Sequence, residues 1–204
     1  MSYPVPTPSA LRGVFEAVFW KPQMRWQIER IHVLNPVKWQ SFRRNEVTKK
    51  ASAPAAKVIA SGGEAPVLWA DEERAQRNTV ALRDVDYIVE ARLHLTAKAG
   101  PEDSFTKYVE MFTRRLEKGQ HFHQPYFGCR ECIAHAEPLD ATPPAAIDVT
   151  EDLGVMLWDI DFSQNKGRPA NTPIFFKARM EHGIIQVPPT PQAARTTLTS
   201  TSHA

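Results

Sequence analysis

The stretch MRWQIERIHVL, residues 24–34, decides the fold expected for this chain. Trp26 and Ile28 alternate with polar residues, and Ile31 and Val33 continue the alternation in the opposite parity. Alternation with a period of two predicts a half-buried strand, and the change of parity predicts a bulge or kink inside it.

A helix is predicted on the N-terminal side of this strand. The prolines of YPVPTPSALRGVFEAVFWKP, residues 3–22, hold the chain extended up to Thr7, which is a good N-cap, and Pro8 suits the first helical turn. An apolar stripe follows at helical spacing: Leu11, Val14, Phe15 and Val18. Pro22 is expected to stop the helix. Arg12 lies off the stripe, where it suits either contact with an anion or a solubilising role on a surface helix.

Further elements follow on the C-terminal side. Tyr87 to Leu95 alternate cleanly and predict a second strand. SFTKYVEMFTRRLEKG, residues 104–119, predicts a helix that is capped by Ser104 and ended by Gly119. Its expected buried stripe is Phe105, Tyr108, Val109, Phe112 and Leu116. Later strands are predicted at about 130–137, at 153–162 and as a pair within 172–187 that is joined at 181–183.

This order of elements indicates an α+β fold. It matches a ferredoxin-like arrangement that lacks its first strand, followed by an antiparallel β region. We therefore expect a ferredoxin-like domain over residues 1–137, a C-terminal β region over 138–188 and a disordered tail over 189–204.

Composition excludes several classes of protein. The 204 residues are 42% hydrophobic and 24% charged, which is ordinary for a globular protein. No apolar run approaches the ~20 residues of a membrane helix, and two cysteines do not make a disulfide framework, so a cytoplasmic protein is expected. Residues 1–50 carry nine Lys or Arg and three acidic residues, a net charge of +6, whereas the remainder carries −4. Such asymmetry favours a positive face that meets phosphate, although a solvated surface gives the same pattern.

Two basic segments are candidate phosphate contacts. Lys107 lies at a helix start, where backbone N–H groups already favour anions. Tyr108, next to it, is equally consistent with a site residue and with a tyrosine of the hydrophobic core. In SFRRNEV, residues 41–47, Arg43 and Arg44 suit phosphate and Phe42 suits base stacking. The alternative for this segment is a basic surface loop.

A second motif, HFHQPYFGCREC, combines His121 and His123 with Cys129 and Cys132. The C-x-x-C spacing suits one edge of a zinc site that the two histidines close. The alternative is a turn followed by a strand with buried, inert thiols. In WDIDF, Asp159 and Asp161 alternate with apolar residues and are expected on the solvent side of a strand.

Several long stretches together resemble the Cas-five family of CRISPR-associated proteins, most closely its subtype I-C (Dvulg) branch. They are the segment 3–22, WQIERIHVLNPV, SFRRNEV, QRNTVALRDVDYIVEA, FTKYVEMFTRRLEKGQHFHQPYFGCRE, LGVMLWDIDF and PIFFKARMEHGIIQVP, and they cover roughly residues 2–188. The resemblance implies an RRM-related, ferredoxin-like RNA-binding fold. It also implies cleavage of CRISPR precursor RNA within the repeat, after which the protein stays on the crRNA 5′ end inside the Cascade surveillance complex.

The chemistry that the resemblance implies uses no metal and no cofactor: a 2′-hydroxyl attacks the adjacent phosphate. The family's proposed set is a tyrosine near the end of the first helix and a Lys-His pair early in the second. Here Lys107 matches, but Phe19 stands at the tyrosine position and Tyr108 at the histidine position, and His121 and His123 are the nearest spare imidazoles. The expected RNA-binding residues are Arg12, Arg43, Arg44, Arg114, Arg115 and Lys118.

The resemblance implies partners as well: repeat RNA or crRNA, the backbone and large subunits of Cascade, and double-stranded DNA, but no membrane. Because family members carry a strand before the SYPVPTPS stretch, Met1 is expected to be an internal methionine, which mass spectrometry of the native protein tests. The departures at Phe19 and Tyr108 leave a non-catalytic crRNA-binding subunit as the alternative function. A zinc-stabilised nucleic-acid module is a third.

Overall fold

The computed structural model describes residues 2–49, 60–63, 69–162 and 171–199. Its named elements are α1 (Pro8–Val18), β1 (Met24–Val33), β2 (Trp39–Val47), β3 (Arg74–Leu82), β4 (Tyr87–Leu95), α2 (Phe105–Glu117), β5 (Glu151–Asp161), β6 (Thr172–Glu181), β7 (Ile184–Gln186) and α3 (Pro191–Thr199). Helices combine with antiparallel sheets, so the expected α+β class is confirmed. Among the described residues, no helix has the length and apolar character needed to span a membrane.

Strand β1 lies inside a five-stranded sheet of order β4-β1-β7-β6-β5, in which every pairing is antiparallel. The pairing of β1 with β4 shifts register between Ile28 and Arg30, which confirms the expected bulge. Because of this shift, Ile28, Ile31 and Val33 are all buried despite their change of parity. Strand β1 therefore contributes to two hydrophobic clusters: Met24 and Trp26 belong to one, and Ile28, Ile31 and Val33 to the larger one.

The division of the chain differs from the expected domains. Strands β1 and β4, from the expected domain 1–137, share one sheet with β5 to β7 from the expected region 138–188. The C-terminal strands thus complete the sheet that the first strand begins. The chain instead separates into a compact unit that contains Lys38–Arg83 and a second unit that contains Tyr3–Val37 and Asp84–Ala204.

The unit Lys38–Arg83 is built on a hairpin of β2 and β3, which pair along their full lengths. Residues 41–47 therefore form a strand, and the alternative of a basic loop is wrong. Their side chains are half-buried or exposed in alternation. A strand with polar residues on both faces lacks the apolar alternation that predicts one. Small residues and glycine predominate over 51–66 and predict a loop, but these residues lie outside the described ones except for 60–63.

Helix α1 begins as predicted and ends early. The Thr7 side chain accepts a hydrogen bond from the Ala10 N–H at 3.2 Å, and Pro8 occupies the first turn. The last helical residue is Val18, well before Pro22, because Phe19 adopts extended backbone with φ −156° and ψ 123°. This change of direction buries the Phe19 ring beneath the start of α2.

Helix α2 confirms both predicted ends. The Ser104 side chain accepts from the Lys107 N–H at 3.3 Å, and Gly119 has a φ of 60° just beyond the helix. The expected stripe is wrong at Phe105, the first residue of the helix, which is 53% exposed. Tyr108 is the fully buried member of the stripe.

Two C-terminal expectations differ from the structure. Residues 130–137 form no strand, only an isolated bridge between Tyr126 and Ile133. The tail expected to be disordered contains α3, which packs on β6 and buries Ala194 completely. Thr190 caps this helix by accepting from the Ala193 N–H at 3.1 Å, and small residues allow its close approach to the sheet.

Candidate nucleic-acid interface

The first turn of α2 holds Tyr108 in a fixed protonation state. Tyr108 is fully buried, and its hydroxyl donates to the Asp103 Oδ1 atom. That hydrogen bond is the largest cause that raises the pKa of Tyr108 to about 12. At neutral pH the hydroxyl is therefore a donor, and it does not accept a proton from a substrate.

Asp103 is held as a carboxylate by the same contact. Its second oxygen, Oδ2, accepts from the Gly100 N–H at 2.9 Å. The hydrogen bond from Tyr108, the bond from Gly100 and the positive charges of Lys107 and Lys21 all lower the pKa of Asp103. The loop before α2 is thus tied to the helix through one side chain.

Two lysines lie beside this pair. The Lys21 Nζ atom is 5.4 Å from the centre of the Tyr108 ring, and the Lys107 Nζ atom donates to the Glu102 carbonyl oxygen at 3.0 Å. The two ammonium groups exceed the single carboxylate of Asp103, so this cluster, Lys21, Asp103, Lys107 and Tyr108, can attract a phosphate. Sequence reasoning found Lys107 and Tyr108 but missed Lys21. The sequence signal for Lys21 is its place in the short segment between α1 and β1.

Phe19 packs against the same helix and has no polar function. Its ring lies 5.9 Å from the Tyr108 ring and is 4% exposed. The Arg115 guanidinium lies 5.7 Å from the centre of this ring and donates to the Val18 carbonyl oxygen at 2.8 Å. Arg115, an expected RNA contact, therefore uses part of its fork to cap the C-terminal end of α1.

Arg12 is engaged within the protein. Its guanidinium pairs with Asp159 at 2.7 Å and with Glu16 at 3.2 Å. The expectation that Asp159 faces solvent is wrong, because the side chain is 17% exposed and lies against Arg12. Any anion that binds Arg12 competes with two carboxylates.

The arginines of β2 point to opposite faces of their hairpin, since successive strand residues alternate. Arg43 lies opposite Asn78 and donates to its side-chain oxygen at 3.3 Å. Arg44 packs on the Phe42 ring and pairs with Glu46 at 3.1 Å. The two guanidinium groups therefore cannot both bind the same phosphate.

The remaining candidates lie toward the other end of α2. Arg114 and Lys118 are exposed there. His121 lines an open groove of about 560 Å³ with Leu116 and Glu117. His123 contacts the Phe122 and Tyr126 rings. Lys107 and Glu117 are ten positions apart along α2, about 15 Å, so the structure does not bring His121 to Lys107.

The cysteines of the C-x-x-C motif, Cys129 and Cys132, are both free and exposed, so the alternative of buried thiols is wrong. In the part of the chain that the structure describes, no three His, Cys, Asp or Glu side chains form a group that could hold a metal ion. The zinc module gains no support from this geometry.

Comparison with known proteins identifies the family of this chain. Residues 1–188 match the family described as CRISPR-associated protein (Cas_Cas5), through its Cas5d model. A protein of Mannheimia succiniciproducens named CRISPR pre-crRNA endoribonuclease Cas5d is 41% identical over 197 residues, which cover 93% of this chain and 85% of the relative. A Thermus thermophilus protein of the same name is 39% identical over 202 residues, 92% of this chain and 82% of the relative.

Solved structures share the fold. The functionally uncharacterized protein SMU1763c from Streptococcus mutans has a TM-score of 0.63 at 22% identity, over 91% of this chain and 81% of its own. A structure titled as a CRISPR-associated protein has a TM-score of 0.62 at 20% identity, over 91% and 80%. The family match covers most of the chain, and both named relatives are about 40% identical along it. This chain therefore belongs to the Cas5 family of CRISPR-associated proteins.

Proposed function

We propose that this protein is a metal-independent endoribonuclease that cleaves CRISPR precursor RNA within the repeat. The observation that carries the proposal is the 41% identity, over 93% of the chain, with a relative named as a pre-crRNA endoribonuclease. The exposed lysine at the start of α2, Lys107, supports it, because the resemblance assigns a lysine to this position.

The reaction needs three things: removal of the 2′-hydroxyl proton, protonation of the leaving oxygen, and a cation for the charged phosphorane. The cluster around Asp103 supplies the cation through Lys107. Tyr108 and Phe19 supply no base, because one is a hydrogen-bond donor to Asp103 and the other has no hydroxyl. The support for catalysis at this site is therefore electrostatic.

The test is incubation of end-labelled repeat RNA with the protein in EDTA. We expect cleavage at one position, with a cyclic phosphate and a 5′-hydroxyl at the new ends, and a loss of about 100-fold or more in Lys107→Ala. Arg179→Ala is the matched control, because Arg179 is an exposed cation that pairs with Glu181 on β6. Intact RNA with the unaltered protein, or cleavage that Lys107→Ala leaves unchanged, contradicts the proposal.

The alternative is a non-catalytic subunit that binds crRNA. The observation that favours it is the hydrogen bond between Tyr108 and Asp103, which leaves the site without a group ready to take a proton. Tight binding of repeat RNA that stays intact, in the same assay, supports this alternative over the enzyme.

The same proposal includes the molecules with which the protein assembles. After cleavage the protein keeps the crRNA 5′ end and joins the backbone and large subunits of Cascade, which in turn meet double-stranded DNA. We place this activity in the cytoplasm. Co-purification of the tagged protein with crRNA and other Cascade subunits is the expected result, and recovery of the protein alone from cells that carry the whole operon contradicts it.

A further inference from the structure

We propose that Lys21 is a second cation at the scissile phosphate, where it acts together with Lys107, and that Tyr108 is a positioning residue that moves no proton. This inference rests on the proposed function. The inference adds to that function the residues that contact the reacting phosphate.

The backbone holds Lys21 in place from both sides. Before it, Phe19 leaves helical geometry and packs its buried ring on Tyr108. After it, the Lys21 carbonyl oxygen accepts from the Met24 N–H at 3.1 Å, in the turn that leads into β1. The Cα atom of Lys21 is thus fixed relative to α2, and the side chain needs no loop movement to reach the start of that helix.

The Lys21 ammonium is positioned without use of its hydrogen bonds. It lies 5.4 Å from the centre of the Tyr108 ring, which attracts a cation through its face. Among the described residues, its Nζ atom makes no hydrogen bond or ion pair. Three N–H donors are therefore available to phosphate oxygens. Lys107 donates one of its three N–H groups to the Glu102 carbonyl oxygen, so two remain for phosphate.

The titratable groups around Tyr108 are Asp103, Lys21 and Lys107. Asp103 has a lowered pKa and is already an acceptor for Tyr108 and Gly100. The 2′-hydroxyl proton therefore goes to solvent hydroxide. The 2′-oxygen bonds to phosphorus as the bond from phosphorus to the 5′-oxygen breaks, and that oxygen takes a proton from water. The two ammonium groups stabilise the charge on the phosphorane.

The test is single-turnover cleavage of repeat RNA by the full chain, with protein in excess, across a range of pH. We expect Lys21→Ala to lower the rate constant about 100-fold and Lys21→Arg to restore most of it. Arg179→Ala leaves it unchanged. With hydroxide as the base, the rate rises about tenfold per pH unit through neutrality, whereas a histidine base gives a plateau near pH 7.

Tyr108→Phe separates a positioning role from proton transfer. We expect its rate to fall less than tenfold and its slope against pH to stay that of the unaltered protein, and circular dichroism checks that the variant is folded. A changed slope in Tyr108→Phe, or full activity in Lys21→Ala, overturns the inference.

Failure of the proposed function gives a different result. If the unaltered protein leaves the RNA intact, cleavage is excluded. The contact of Lys21 with phosphate is then tested through the equilibrium constant K for RNA binding, measured at several salt concentrations. The slope of log K against log salt is then expected to decrease by about one in Lys21→Ala, since one counterion fewer is released. An unchanged slope overturns the phosphate contact as well.

Discussion

The hydrogen bond between Tyr108 and Asp103 fixes the charges of both side chains. Each group stabilises the protonation state that the other requires: the tyrosine stays neutral and the aspartate stays ionised. The lowered pKa of Asp103 means that its stabilising contribution is present above the ordinary pKa of 3.8 and is lost as pH falls through its value in the folded protein. The raised pKa of Tyr108 has the opposite sign, so its contribution is present below pH 10 and is lost as pH rises toward about 12.

We therefore predict that Asp103→Asn lowers the pKa of Tyr108 from about 12 toward its ordinary value of 10. The substitution weakens the hydrogen bond that is the largest cause of the raised pKa, and it also removes the negative charge that disfavours the phenolate. The measurement is the phenolate absorbance during alkaline titration, taken as the difference from Tyr108→Phe. Asp71→Asn, an exposed aspartate in the other compact unit, is the control. Ionisation of Tyr108 near pH 10 in the unaltered protein contradicts the prediction.

Among the helices and strands, those whose signals lie within a few neighbouring residues could be predicted from the sequence. Helix α2 could be placed from Ser104 and Gly119 because caps act within a few residues. The bulge in β1 could be placed because one buried face imposes a period of two. The hairpin of β2 and β3 could not, because it carries polar residues on both faces. The contact of Lys21 with the Tyr108 ring could not be predicted for another reason: it depends on where α1 meets α2, which is a long-range contact.

The turn between β6 and β7 permits a sharp test of local packing. Gly183 has a φ of 75°, and a Cβ atom there would lie 2.2 Å from the Ile147 carbonyl oxygen. Gly119, with a φ of 60°, has no atom within 4 Å of such a Cβ. We predict that Gly183→Ala lowers the free energy of unfolding by at least about 2 kcal/mol more than Gly119→Ala does, since only the former adds a clash with backbone. Equal losses in urea unfolding contradict this.

At the scale of the molecule, the C-terminal helix is part of the main compact unit. Helix α3 buries Ala194 against the sheet, and the Thr197 hydroxyl accepts from the Lys177 N–H of β6 at 2.8 Å. The Pro- and Thr-rich composition of this segment gave no sign of that packing, because a small residue, Ala194, and a hydroxyl group, that of Thr197, make it.

We predict that Ala194→Asp lowers the free energy of unfolding by about 2 kcal/mol or more, since it places a charge where no solvent reaches. Gln192→Asp adds the same charge at an exposed position of the helix and is expected to change stability by less than about 0.5 kcal/mol. Thermal unfolding of the two variants measures the difference. Equal melting temperatures would mean that α3 is not held on the sheet.

The position of β1 between β4 and β7 has a consequence for synthesis on the ribosome. Its partner β4 ends at Leu95, but its other partner begins only at Ile184. Translation at roughly 5–20 residues per second leaves one edge of this central strand unpaired for several seconds after β4 emerges. During this interval the unpaired edge of β1 is open to non-native strand pairing.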